Sequence, residues 1–120
     1  LASSEGIHVL TYSPLGAGFL TGKYTPDRSS FPRGTRFDVV PGHADVYFSA
    51  RNFRIVDRLR DMSERVAVPV ARLAMAWVLK NPSVNTVLVG ARTTAHLDNA
   101  VAAIHMDLPQ TWYDEMNSWS

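Results

Sequence analysis

Two short apolar segments, far apart in the chain, constrain its fold more than any other feature. Gly6-Ile7-His8-Val9-Leu10-Thr11-Tyr12 is partly β-branched and ends at Ser13-Pro14, where proline has no N–H for a ladder. It reads as a buried strand. Val84 to Val89 is the second strand candidate, closed by Gly90. Helical patterns lie between them, so the two are expected to run parallel, joined by a right-handed crossover. Strands this apolar in a parallel sheet are covered on both faces. Two of them neither close a barrel nor build an open sheet. A chain of 120 residues is one domain at most, and this one is expected to be a portion of a larger α/β domain. Its start at Leu1 rather than Met fits that expectation.

From Gly16 to about Asp45 the chain is rich in Gly, Pro, Ser and Arg. It reads as a long loop, and loops of that length in a compact domain are often functional. Apolar residues then recur at Ile55, Leu59, Met62 and Val66, which is helical spacing. Pro69 suits the first turn of a second helix, whose apolar face is Val70, Leu73, Ala74, Trp77 and Val78. Asn81-Pro82 stops it. Thr93 or Thr94 caps a third helix with the stripe Leu97, Val101 and Ile104. A last short helix carries Trp112, Met116 and Trp119. Trp77 is assigned to the core. The basic run Arg51, Arg54, Arg58 and Arg60 interleaves with Asp57 and Asp61, which reads as a solvated helix face.

Composition removes several functions. There is no Cys, which excludes thiolate catalysis and Cys-based metal sites, and no His pair stands at metal-ligand spacing. The formal charge of +1 gives no reason to expect nucleic acid or an anionic membrane as partner. The longest clean apolar run, Leu73 to Leu79, is far short of a membrane span. No signal peptide is readable, so the expected location is cytoplasmic.

Two stretches carry candidate chemistry. In Tyr12-Ser13-Pro14-Leu15-Gly16-Ala17-Gly18-Phe19-Leu20-Thr21-Gly22-Lys23, three glycines allow close backbone approach, successive N–H groups can cradle phosphate, and Lys23 adds a point charge. A P-loop would need Gly at Ala17 and Ser or Thr at Tyr24. A dinucleotide fingerprint starting at Gly16 would need Gly or Ala at Thr21. The alternative is a loop whose glycines only make turns. In Val89-Gly90-Ala91-Arg92-Thr93-Thr94-Ala95-His96, a strand end opens a helix, a natural anion site to which Arg92 adds a bidentate donor. Its alternative is an ordinary capped helix with a solvated Arg. Both stretches follow strands, at the end where α/β folds bind ligands.

These motifs, with Tyr24, Phe31-Pro32-Arg33-Gly34-Thr35-Arg36 and Leu73-Ala74-Met75-Ala76-Trp77-Val78-Leu79, closely resemble the C-terminal part of the aldo/keto reductase family. The resemblance runs almost from end to end. It implies the C-terminal portion of a (β/α)8 TIM barrel, with Gly6 to Thr11 as strand seven and Val84 to Val89 as strand eight. It also implies NADPH as cofactor and aldehydes or ketones as substrates.

By matching position, the resemblance puts Tyr12 on the nicotinamide. Ser13, Leu15, Gly16 and Lys23 line the pyrophosphate, with Pro14 and Ala17 in the same turn and Arg36 closing the long loop over it. Gly90, Arg92 and His96 lie at the adenosine end. Where the family usually carries Gln and then Glu-Asn near the adenine, this chain has His96, Asn99 and Ala100. The family's catalytic Asp, Tyr, Lys and His precede strand seven, so none maps here. Tyr12, Tyr24, Tyr47, Tyr113, Lys23 and Lys80 occupy other family positions. The expected function is an NADP-dependent aldo/keto reductase, present as its cofactor-binding part without the catalytic tetrad. The alternative is a non-catalytic nucleotide-binding or regulatory module, since some relatives serve as redox-sensing channel subunits. The chain is expected to need the missing N-terminal barrel part or to self-associate. The apolar faces at Leu73-Trp77 and Leu97-Val101 are expected to lose much of their partner surface.

Overall fold

The computed structural model of the chain describes residues 2 and 4–119. Strand β1 (Leu10–Tyr12) and strand β2 (Thr86–Leu88) pair in parallel, with Leu10 opposite Thr86, Thr11 opposite Val87 and Tyr12 opposite Leu88. Six α-helices are described: α1 (Arg36–Val39), α2 (Ala44–Tyr47), α3 (Ala50–Val66), α4 (Val70–Lys80), α5 (Thr94–Ile104) and α6 (Gln110–Asn117). The architecture is α/β, as the order of patterns predicts.

Both strands are shorter than the sequence suggests, because a ladder extends only where a partner supplies it. At the entry to β1 the Asn85 and Thr86 N–H groups donate to the Val9 carbonyl at 3.0 and 3.2 Å, and side chains add to the hold. The Val9 N–H donates to Asn85 Oδ1 at 2.8 Å, and His8 Nε2 meets Thr86 Oγ1 at 2.9 Å. Nor is β1 buried as expected. Leu10 is 51% exposed and Tyr12 78% exposed, since the sheet has only these two strands among the described residues.

The core sits on α4. Leu73, Ala74 and Ala76 pack with Leu59 and Met62 of α3, with Leu108 and with Met116 of α6. Met75 turns to the other side, against Ala100 and Ala103 of α5. The expected loss of partner surface at Leu73-Trp77 is therefore wrong: Leu73 is fully buried, and Trp77 is half-buried and donates from Nε1 to Asn117 Oδ1 at 2.9 Å. Helices α3 and α6 cover this face without any further strand. The expectation holds for α5, where Leu97, Val101 and Ile104 are all exposed. Local chemistry sets the helix ends. Ser49 caps α3 by accepting from the Asn52 N–H at 3.1 Å, and Thr93 caps α5 by accepting from the His96 N–H at 3.3 Å.

The long segment after β1 is not an open loop. It folds over 3-10 turns at Phe19–Thr21 and Pro41–His43, with α1 and α2, around its own aromatic core. Phe19, Tyr24 and Phe37 are buried there beside Phe31, Tyr47, Phe48 and Phe53. Ring centroids lie 4.4 Å apart for Tyr24–Phe37 and 5.0 Å for Phe19–Phe53. Such pairs hold a segment in one shape without a ladder. Val56 of α3 joins this cluster while Leu59 and Met62 join the other, so α3 binds the two together. No helix among the described residues is long and apolar enough to cross a membrane.

Candidate functional site

A cleft of about 770 Å³ opens where the two strands end. Its lining includes Tyr12, Ser13, Pro14, Leu15, Ala17 and Lys23 after β1, Arg36 from α1, and Gly90, Arg92, His96 and Asn99 after β2. Every residue expected at the site from sequence lies on this wall except Gly16. Parallel pairing explains the convergence, because it sends both strand ends to the same edge of the molecule.

The turn after β1 is tightly wound. Ser13 (φ 53°), Gly16 (φ 53°), Ala17 (φ 56°) and Gly18 (φ 87°) all lie in the left-handed region, which costs roughly 1–2 kcal/mol for each residue with a side chain. The Gly16 N–H donates to Ser13 O at 2.8 Å, Gly18 to Leu15 O at 3.0 Å and Gly22 to Phe19 O at 3.2 Å. The N–H groups of all three glycines are thus committed to the loop's own turns and do not form a phosphate cradle. The turn-making alternative is the one the structure adopts for them. Gly16 serves close packing: a Cβ there would lie 3.0 Å from the Tyr47 ring.

The cleft's charge comes from side chains. Lys23, Arg36 and Arg92, from three separate segments, line it together with His43 and His96, and no Asp or Glu among the described residues does. Lys23 Nζ lies 5.3 Å from the Tyr24 ring centroid. Arg36 donates from Nε to His43 Nδ1 at 3.5 Å. Arg92 reaches across to the aromatic-cored segment, donating to the Gly34 carbonyl at 3.0 Å, while its own N–H donates to His96 Nδ1 at 3.4 Å. Three cations on one wall, with no lining carboxylate among the described residues, raise the potential of the cleft.

Several lining residues escaped the sequence reading, among them Thr35, His43 and Tyr47 from the long segment and Ala71 and Met75 from α4. A spacing argument had no means of placing them, because the fold-back that brings them here depends on scattered aromatics. Arg72 was missed too: it donates to Asn99 Oδ1 at 3.5 Å, and its Nε is buried without a partner. Tyr24 carries a buried hydroxyl with no partner, deep in the aromatic cluster and away from any general-acid role. Arg51, Arg54 and Arg58 behave as expected of a solvated face, exposed around a shallow recess with Ile55 and Trp119. Arg60 departs from that expectation: besides pairing with Asp57 at 3.3 Å, it donates to the Gly22 carbonyl and so ties α3 to the segment after β1.

Comparison with known proteins gives the chain's family. The profile of the aldo/keto reductase family matches residues 1–120. A protein of Arabidopsis thaliana named "Probable voltage-gated potassium channel subunit beta" is 31% identical over 111 residues, 87% of this chain and 32% of that protein. Protein tas of Escherichia coli is 31% identical over 106 residues, 88% of this chain and 30% of its own length. L-glyceraldehyde 3-phosphate reductase of the same organism is 27% identical over 106 residues, 85% of this chain and 30% of that enzyme. The chain thus spans about a third of the length of the curated relatives it matches.

Proposed function

This chain belongs to the aldo/keto reductase family, and we propose that it forms the cofactor-binding part of an NADP(H)-dependent oxidoreductase that reduces aldehydes or ketones to alcohols. The observation that carries this reading is the cleft at the strand ends, lined by Lys23, Arg36 and Arg92 and, among the described residues, by no carboxylate. Its volume suits a cofactor-sized ligand. NADPH, when bound, supplies hydride chemistry; the chain's own residues bind and orient it. Lys23 and Arg36 flank the pyrophosphate, and Arg92 takes the phosphate on the adenosine ribose. Tyr12, 78% exposed at the mouth, offers a flat face for the nicotinamide. Ser13, Pro14, Leu15, Gly16 and Ala17 shape the turn beneath it, and Gly90, His96 and Asn99 wall the nucleoside end. The catalytic acid comes from outside this chain.

Because charge drives this binding, raising the salt concentration is expected to weaken NADPH affinity steadily in fluorescence titrations. Affinity that does not respond to salt would contradict a site built on three cations.

The second reading, a nucleotide-binding module without catalysis, is favoured by relatives named as potassium channel beta subunits in Arabidopsis, rice and fission yeast. Both readings share the cleft and differ in whether turnover follows binding once the rest of a barrel is present.

The partner of the exposed apolar surface is, in this reading, the remaining strands and helices of the barrel. Leu10, Tyr12 and Leu88 on the sheet lie exposed with Leu97, Val101 and Ile104 on α5. A surface of that kind associates when left uncovered. Sedimentation of the chain alone is expected to give a coefficient that rises with concentration. A monomer at every concentration, with slowly exchanging amides in both strands, would refute this.

A further inference from the structure

Arg72 is a half-buried cation that belongs to neither the core nor the cleft lining. It stands on α4 between Ala71, which lines the cleft, and Leu73, which is fully buried. Its Nε–H is buried with no partner among the described residues, an unfavourable state for a cation's donor. Its terminal nitrogen donates to Asn99 Oδ1 at 3.5 Å. The same Asn99 donates from Nδ2 to the Ala95 carbonyl at 3.1 Å. The amide is therefore gripped at both ends, by a cation on α4 and by the backbone of α5. Asn99 also lines the cleft, with one N–H and one oxygen lone pair left over.

An asparagine amide is nearly symmetric in shape, and half a turn of its last torsion exchanges donor for acceptor. A free amide can thus adapt to a base that offers a donor or to one that offers an acceptor. A gripped amide cannot make that exchange, because Arg72 can hold the oxygen but not the NH2 group, so its leftover N–H and lone pair keep fixed places and match only one order of donor and acceptor on the base. Resting on the nucleotide reading above, we propose that Arg72 is a positioning residue. It fixes the Asn99 amide and so makes the cleft discriminate between a purine bearing an amino group and one bearing an oxo group.

Fluorescence titration of the full chain with NADPH and with its hypoxanthine analogue tests this. The readout is the ratio of the two dissociation constants within each variant. The wild-type chain is expected to favour NADPH about tenfold, the size of one hydrogen bond gained where the analogue sets like against like. In Arg72→Met that ratio is expected to fall close to one, and in Arg72→Lys, which keeps a donor, to recover in large part. General destabilisation lowers both affinities and leaves the ratio unchanged. Should Arg72→Met fail to fold, Asn99→Ala on the cleft wall gives the same expectation, a ratio close to one. A wild-type ratio near one, or a ratio that survives Arg72→Met or Asn99→Ala, overturns the proposal and leaves the nucleotide reading standing. Failure of both nucleotides to bind the wild-type chain overturns both.

Discussion

Replacing Arg92 with alanine is expected to weaken NADPH binding by roughly 10- to 100-fold and NADH binding far less. The guanidinium has five N–H donors in a rigid fork. One terminal nitrogen donates to the Gly34 carbonyl at 3.0 Å. The rest of the fork remains to grip a phosphate through paired, charge-assisted bonds, worth about 1.5–3 kcal/mol. NADH lacks the phosphate on the adenosine ribose, so it loses only the tie to the Gly34 segment. Arg92→Lys keeps the charge but not the fork and should fall between the two. Fluorescence titration of both nucleotides against the three chains is the measurement. Equal losses for NADPH and NADH would mean that Arg92 only ties the segment down, and cofactor choice would then rest on Lys23 and Arg36.

The second large effect is on turnover. The chain alone is expected to show no NADPH-dependent reduction of a reactive aldehyde such as a nitrobenzaldehyde. Holding a hydride donor without a positioned acid forfeits about 10²- to 10⁴-fold in rate. Tyr24 has its hydroxyl buried in the aromatic cluster, Tyr113 packs beside Trp77, and Tyr12 and Tyr47 stand on a cleft wall that no Asp lines among the described residues. Steady turnover by highly purified chain, abolished by Tyr12→Phe or Tyr47→Phe, would contradict this and identify an acid within these residues.

The four longer helices were legible because each has a local signature, whereas α1 and α2 were not. Thr93 caps α5, Pro69 precedes α4 and Asn81-Pro82 ends it, and the apolar spacing finds Leu59 and Met62 of α3 and Leu73 and Ala74 of α4, though not the buried Val56. The parallel pair was legible from two apolar runs with helices between them, although its exposure was not, since that depends on neighbours. The segment after Gly16 was misread as open because Phe19, Tyr24, Phe31, Phe37, Tyr47, Phe48 and Phe53 follow no strand or helix period. Their order becomes visible only once the chain has folded back on α3. The same limit hid half the cleft wall. Residues after each strand were found through their motifs, whereas His43, Tyr47 and Met75 reach the cleft only through tertiary packing. Arg72 belongs to no sequence motif, and only its buried Nε marks it out.

The central claim is that nucleotide phosphates sit between the ends of β1 and β2, held by Lys23, Arg36 and Arg92. Amide chemical-shift mapping of the isotope-labelled chain titrated with NADPH tests it most directly. The account predicts saturable shifts in Ser13 to Lys23, at Arg36 and in Gly90 to His96, with the exposed arginines of α3 at Arg51, Arg54 and Arg58 left unmoved. Shifts gathered on α3, or a spectrum that does not change with NADPH, would contradict it.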